Sequence, residues 1–155
     1  MGFISKAALK RAGFFPPRTA REQFAYYIYQ ITTIFLLIYL FSTDIKFNTI
    51  SIFPGFIIFI IGTVLYTKSI IDFAKPQTNG INKKGLYQYS RNPMYLAFFL
   101  YFLGCSILIS SWIYFTILII FQISVHYLIL SEERWCINKF GKEYKAYMKK
   151  VRRYI

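Results

Sequence analysis

Side chains that could bind a charged ligand occur at two places in the second half of the chain. The first is the stretch Arg91-Asn92-Pro93-Met94-Tyr95. Asn followed by Pro predicts a helix start, with Asn as the cap and Pro at the first helical position. One interpretation is a cap alone. The other is a binding site, because a helix N-terminus has free N–H groups and a partial positive charge that suit a carboxylate or phosphate.

The second place is the acidic pair Glu132-Glu133, which directly follows an apolar stretch. A cationic ligand or partner would explain two adjacent acids at this position. The alternative is a surface salt bridge, which would contribute little to stability. The candidate partners for such a bridge are Arg91, Arg134 and Lys139.

His126 lies seven residues before Glu133, on nearly the same helical face and inside the apolar stretch. Ionisable groups inside a membrane span are costly and usually functional, although a neutral histidine can also hydrogen-bond a neighbouring helix. Tyr87 and Tyr95 flank the predicted helix start, where tyrosines commonly act as interfacial anchors. One histidine without an acidic cluster predicts no metal site.

Three long stretches without a charged residue must position these side chains. They have 21, 21 and 40 residues and cover residues 23–43, 47–67 and 92–131. Since a helix of about 20 apolar residues crosses a bilayer, they predict one span, a second span and a two-span hairpin. The predicted fold is an all-α membrane protein with about four transmembrane helices, at residues 24–42, 48–67, 93–110 and 112–131.

The hairpin turn is expected at Ser110-Ser111. Because a hairpin returns the chain to its starting side, residues 91–95 and 126–133 should be neighbours. After the acids, apolar residues recur every three or four positions with lysines between them. This pattern predicts an amphipathic tail helix, or two helices meeting at Gly141, lying on the membrane surface or folding back over the site.

The composition agrees with a membrane protein. Of the 155 residues 56% are hydrophobic, yet the formal net charge is +13. Apolar residues gathered into such stretches exclude a disordered tail and an ordinary soluble basic domain. Too few residues lie outside them for a second domain, so we predict one domain, 1–155, without a cleaved signal peptide or lipid anchor.

The basic residues predict the orientation. All of the 19 Lys and Arg residues except Lys46 fall on one side of the predicted spans, so both termini and the central loop should be cytoplasmic. Topology and anionic lipid headgroups explain these charges better than a nucleic-acid partner does. Cys105 and Cys136 lie at different predicted depths, so no disulfide is expected.

Ordered motifs in the last 70 or so residues resemble the bacterial branch of the isoprenylcysteine carboxyl methyltransferase and phospholipid methyltransferase families. They are Gly85-Leu86-Tyr87, Ser90-Arg91-Asn92-Pro93-Met94-Tyr95, Gly104, Glu132-Glu133, Phe140-Gly141-Lys142-Glu143-Tyr144 with Tyr147, and Val151-Arg152-Arg153. The resemblance implies a methyltransferase of the bacterial cytoplasmic membrane, surrounded by membrane lipids. It would bind S-adenosylmethionine from the cytosol, within residues 85–155, and methylate a lipophilic substrate admitted from the bilayer.

Carried over residue by residue, the resemblance places cofactor contacts on Tyr87, Asn92, Pro93, Met94, Tyr95 and Glu132. Arg91, His126 and Glu133 are the predicted catalytic residues. The chemistry agrees, since a carboxylate and tyrosine faces stabilise a sulfonium cation. A helix N-terminus suits the methionine carboxylate, and methyl transfer is an in-line displacement that depends mainly on alignment.

Two departures from the carboxyl methyltransferases concern the acceptor. Those enzymes usually have Arg-His-Pro where this chain has Arg91-Asn92-Pro93, and Leu128 stands where they place an arginine that holds the substrate carboxylate. The acceptor could be a phospholipid amine, a prenylcysteine-like carboxylate, or a small lipophilic thiol or quinol. The sequence does not predict an oligomeric state.

Two other functions compete with methyl transfer. One is an NADPH-dependent membrane reductase of the sterol reductase type. The chain is short for that class, and two adjacent glutamates suit a cation better than a pyrophosphate. The other is a non-catalytic membrane scaffold, in which the polar residues would be interfacial anchors.

Overall fold

The computed structural model describes residues 16–43, 52–74 and 80–155. In this part of the chain four α-helices occur: α1 (Ala20–Phe41), α2 (Ile52–Ala74), α3 (Pro93–Ile109) and α4 (Trp112–Lys150). A short 3-10 helix, Gly85–Gln88, precedes α3. Helices α1, α2 and α4 are long and apolar enough to cross a membrane, whereas α3 is a shorter apolar helix of 17 residues. The all-α prediction is confirmed with three candidate spans, and a fourth crossing by α3 stays a prediction.

Two helices extend past their predicted ends. Helix α2 continues to Ala74 instead of stopping at residue 67, because a lysine ends the uncharged stretch without ending the helix. In this extension the Asp72 carboxylate accepts a hydrogen bond from the backbone N–H of Leu86, at 2.9 Å. Helix α4 likewise continues through the acidic pair, and its backbone breaks at Gly141, where φ is +54°. Residue 48, the predicted start of the second span, lies outside the described residues.

Helices α2 and α3 form a close pair around two glycines. A Cβ atom on Gly62 would lie 2.4 Å from the backbone nitrogen of Tyr101, and one on Gly104 would lie 2.5 Å from that of Phe59. Small residues let helix backbones approach closely in a membrane, where packing replaces the hydrophobic driving force. Gly104 therefore belongs to this helix contact, and the predicted turn between α3 and α4 is at Ser110, which has a left-handed backbone.

Helix α1 packs mainly on α4. At one end of this pair Arg134 makes a bidentate ion pair with Glu22, with both N–O distances 2.6 Å. At the other end the Tyr39 hydroxyl lies 3.0 Å from the Ser111 hydroxyl. Aromatic and aliphatic side chains of α1, α3 and α4 pack together into one hydrophobic core cluster.

The tail folds back after Gly141. The Tyr147 hydroxyl donates a hydrogen bond of 2.6 Å to the backbone carbonyl of Tyr87, in the 3-10 helix. Tyr144, Tyr147 and Val151 pack with Ile81 into a small apolar cluster. Of the two predicted tail arrangements, the structure thus contains the folded-back one.

Candidate functional site

The two adjacent acids of α4 point in different directions, because successive helical residues are rotated by about 100°. The Tyr95 hydroxyl of α3 donates a hydrogen bond of 2.6 Å to Glu132 Oε1. Glu132 is partly buried and lies on the same face of α4 as Leu128 and Phe121, which are fully buried in the core. Glu132 therefore faces the centre of the bundle.

Tyrosines from several elements surround this carboxylate. Tyr29 of α1 and Tyr87 of the 3-10 helix are close enough to Glu132 to interact with it electrostatically, and Tyr29 is also close to Tyr66 of α2. We call Glu132 with Tyr29, Tyr66, Tyr87 and Tyr95 the Glu132 cluster. Burial raises the pKa of the Tyr87 phenol above its ordinary value, so this phenol stays neutral.

No Lys or Arg of the described residues forms an ion pair with Glu132. Its hydrogen-bond donor is a neutral phenol, so the Glu132 carboxyl group has no cationic partner among the described residues. A carboxylate among tyrosine rings is a suitable environment for a cation, since the ring faces are also electron-rich. The Glu132 cluster can therefore hold a positively charged ligand.

Glu133 is enclosed by two arginines and is only 4% exposed. Arg91 Nη2 lies 3.1 Å from Glu133 Oε1, and Arg153 Nε and Nη2 both donate to Glu133 Oε2, at 3.1 and 2.8 Å. We call Arg91, Glu133 and Arg153 the ion triad. The hydrogen bonds to Glu133 raise the pKa of Arg153 above its ordinary value, so it stays charged.

The predicted salt bridge to Arg91 is therefore present for Glu133, but it is buried and not at the surface. The two other proposed partners have different contacts. Arg134 pairs with Glu22, and Lys139 lies over the ring of Trp135.

The start of α3 differs from the predicted cap in one respect. Asn92 is the N-cap residue and Pro93 occupies the first turn, but the Asn92 side chain makes no capping hydrogen bond. Its amide instead donates to the backbone carbonyl of Arg153, at 3.1 Å. The predicted cap position is therefore confirmed, but the side chain makes its hydrogen bond to a carbonyl distant in sequence and not to the first turn of the helix. Met94 and Tyr95 follow in the first turn, which the Asn92 side chain leaves uncapped.

His126 belongs to neither acid's contacts. Its Nδ1 lies 2.8 Å from the hydroxyl of Tyr154, so its observed partner is the end of the chain. Six residues separate it from Glu132, which places the two side chains on faces of α4 about 120° apart. The predicted site residues therefore form three separate groups. Tyr87 and Tyr95 lie near Glu132, whereas Arg91 pairs with Glu133 and Asn92 bonds to the Arg153 backbone. His126 contacts Tyr154 and belongs to neither group.

Several contributors were not predicted from the sequence. Arg153 belongs to a motif that carried the family resemblance, but no role followed from its spacing. Tyr29 and Tyr66 lie in the first two spans, which have no diagnostic motif. Tyrosines in apolar helices are typical of core packing, so only the fold reveals that Tyr29 approaches Glu132 and that Tyr66 approaches Tyr29.

Leu128 lies one turn before Glu132 and is 1% exposed. Of the arginines that contact α4 side chains, Arg91 and Arg153 are paired with Glu133, and Arg134 is paired with Glu22. Each of these three arginines therefore has an acid partner other than Glu132.

Comparison with known proteins agrees with this geometry. A family model described as phospholipid methyltransferase matches residues 50–143, which is 94 of the 155 residues. The matched stretch includes α2, α3 and α4 as far as Glu143, and it leaves out α1 and the end of the chain. No curated protein and no solved structure matches the chain.

Proposed function

The chain belongs to the phospholipid methyltransferase family, and from that premise we propose that it transfers a methyl group from S-adenosylmethionine to the amine headgroup of a membrane phospholipid. The family consists of membrane enzymes that use S-adenosylmethionine to methylate a lipid acceptor. This membership sets aside the reductase and the scaffold as functions.

The observation that carries the proposal is the carboxylate of Glu132, which has no counter-charge in the described residues. When bound, S-adenosylmethionine supplies a methyl group activated by a sulfonium cation. Glu132 and the faces of Tyr87 and Tyr95 suit that cation. A carboxylate without an ion partner fits a cationic ligand better than a neutral one.

The start of α3 suits the carboxylate of the same ligand. The Asn92 side chain is engaged elsewhere, so the backbone N–H groups of Met94 and Tyr95, in the uncapped first turn, can bind an anionic group. Glu132 would hold the positive group and the first turn of α3 the negative group, and the Tyr95 side chain connects these two places. Holding a ligand at both ends restricts its orientation, which is the main requirement of an in-line methyl transfer.

An amine acceptor follows from what lies beside Glu132. Leu128 offers no charge to a carboxylate substrate, and the ion triad already uses Arg91 and Arg153. A carboxylate placed beside Glu132 would therefore meet a like charge without an arginine to compensate it. An amine is attracted to the site as an ammonium and reacts as the neutral amine, after its proton has passed to water.

The predicted catalytic residues take different parts in this proposal. Arg91 and Glu133 hold the start of α3 against α4. The methyl donor is bound by the Glu132 cluster and not by this ion pair. His126 remains a predicted catalytic residue, with Nδ1 bonded to Tyr154 and its side chain on a face of α4 about 120° from that of Glu132. Its replacement by Gln should lower kcat more than it weakens binding of the methyl donor.

The acceptor is tested with the full-length protein in nanodiscs and S-adenosylmethionine labelled on the methyl group. We expect base-stable label in phosphatidylethanolamine and none in phosphatidylglycerol, which has no amine. Base-labile methyl ester on a farnesylcysteine analogue would overturn the amine acceptor. Failure to bind S-adenosylmethionine would overturn the proposed donor.

The proposed site faces the cytosol, where the methyl donor is made. In a variant whose native cysteines are replaced by serine, new cysteines at Lys84 and Trp112 sample opposite ends of α3. A membrane-impermeant maleimide added to intact cells should label position 112 only. Labelling of position 84 alone would reverse the orientation.

A further inference from the structure

The last five residues, 151–155, lie outside the matched stretch of the family yet contact both halves of the candidate site. We propose that Arg153 is a positioning residue that ties the start of α3 to α4, so that the chain terminus sets the geometry of the donor site. We call residues 151–155 the terminal segment. This positioning role depends on the proposed function in one respect, which is that the ligand bound at the site is S-adenosylmethionine.

The first tie is made by the backbone of the terminal segment. The Arg91 N–H donates to the Arg152 carbonyl at 3.0 Å. The Ser90 hydroxyl and the Asn92 side chain both donate to the Arg153 carbonyl, at 3.2 and 3.1 Å. Together these bonds hold the terminal segment beside residues 90–92, as a short parallel bridge between Ser90 and Arg152.

The second tie is made by the Arg153 side chain. Its Nε and Nη2 both bind one oxygen of Glu133, whose side chain is 5% exposed. The Arg153 side chain is 29% exposed, so it reaches the buried acid from the surface. Arg153 thus joins residues 90–92, through its carbonyl, to α4, through its guanidinium.

A third contact lies further along α4. The Tyr154 hydroxyl is 2.8 Å from His126 Nδ1, and the two rings are stacked with centroids 6.2 Å apart. His126 and Glu133 are seven residues apart, or about 10 Å along the helix. The terminal segment therefore contacts two turns of the same face of α4.

These ties bear on ligand binding because the two halves of the site lie on different helix pairs. Helix α3 packs mainly on α2, whereas Glu132 belongs to α4, which packs mainly on α1. The Arg153 carbonyl also binds the Asn92 amide, which leaves the first turn of α3 uncapped. Loss of the Arg153 side chain would leave the Arg91–Glu133 and Tyr95–Glu132 contacts as the remaining described polar links between α3 and α4, so the start of α3 would be held less firmly relative to Glu132.

The experiment compares Arg153→Met with Arg152→Met in the full-length protein. Both variants remove one arginine from the same segment, but Arg152 is exposed and makes no side-chain hydrogen bond or ion pair in the described structure. Affinity for S-adenosylhomocysteine is measured by calorimetry. Hydrogen exchange is followed in residues 90–96 and around Gly62 and Gly104.

We expect Arg153→Met to raise the Kd for S-adenosylhomocysteine by about tenfold, because part of the binding free energy must then restore the position that the charge-assisted hydrogen bonds to Glu133 had fixed. Arg152→Met should stay within about twofold of wild type, and Arg153→Lys should recover part of the loss. Exchange should become faster in residues 90–96 and remain unchanged around the two glycines.

Two results would overturn the proposal. One is an Arg153→Met protein that binds as tightly as Arg152→Met. The other is faster exchange at the glycines as well, which would make Arg153 a residue of general stability. If wild type does not bind S-adenosylhomocysteine, the proposed function fails, and the exchange comparison alone decides the role of Arg153.

Discussion

Glu132 and Glu133 are neighbours in sequence, yet the regions around them have opposite character. Glu133 is enclosed by Arg91 and Arg153, whereas Glu132 is bonded to the neutral phenol of Tyr95 and faces other tyrosines. A carboxylate with two arginine partners is satisfied by the protein and holds elements together. One without a counter-charge is available to a ligand. Because adjacent residues of a helix are rotated by about 100°, Glu133 takes a structural role while Glu132, one position earlier, is available to a ligand.

The largest effect should come from Glu133→Gln. Two arginines would then face a neutral amide, one of them nearly buried, and breaking a buried ion pair typically costs about 3–5 kcal/mol. We expect a loss near 3 kcal/mol in unfolding free energy, because Arg153 can turn partly to solvent. Denaturant unfolding in detergent measures it. Glu132→Gln is the matched control and should lose less than about 1 kcal/mol. Equal losses would contradict the difference between the two acids.

A smaller loss is expected from Gly62→Ala, which leaves both acids and their partners unchanged. The new methyl group would lie 2.4 Å from the Tyr101 backbone, so α2 and α3 must separate. We expect a loss of about 1–3 kcal/mol in unfolding free energy. Gly141→Ala is the control for steric crowding, since nothing lies within 4 Å of that position. Its backbone angle is nevertheless strained for alanine, so only the Gly62 variant should alter cross-linking between α2 and α3.

Glu132→Gln should instead reduce the difference in affinity between S-adenosylmethionine and S-adenosylhomocysteine. Its carboxylate attracts the sulfonium of S-adenosylmethionine but not the neutral sulfur of S-adenosylhomocysteine. We expect the first affinity to fall by about tenfold and the second by less than about threefold. Calorimetry with both ligands makes the comparison. Equal losses would show that Glu132 contacts another part of the ligand or is structural.

The smallest effect should come from Tyr29→Phe, which removes a hydroxyl but keeps the ring near Glu132. Since the face of the ring supplies the attraction to a cation, we expect less than about a threefold change in S-adenosylmethionine affinity. Tyr29→Leu, which removes the ring, should weaken binding further by about 0.5–1 kcal/mol. If the two variants behave alike, Tyr29 acts through its hydroxyl or through packing.

Much of the fold follows from local patterns. The uncharged stretches predicted helices close to α1 and α3, and the hairpin correctly brought Arg91 near Glu133. The break at Gly141 was also predicted. The ends of α2 and α4 were not, because a charged residue marks where apolar surface stops, whereas a helix continues as long as its hydrogen bonds do. The site residues themselves stay predictions until ligand binding is measured.

The sequence alone determined that apolar helices gather the chemical groups of residues 91–95 and 132–133 at one end of a membrane bundle. It did not determine which acid has ion partners. That depends on Arg153, which is 20 residues from Glu133, and on its carbonyl, which is 61 residues from the Asn92 side chain. Helical periodicity encodes contacts three or four residues apart. Contacts between distant segments form only when the packed helices and the tail after Gly141 bring these groups together.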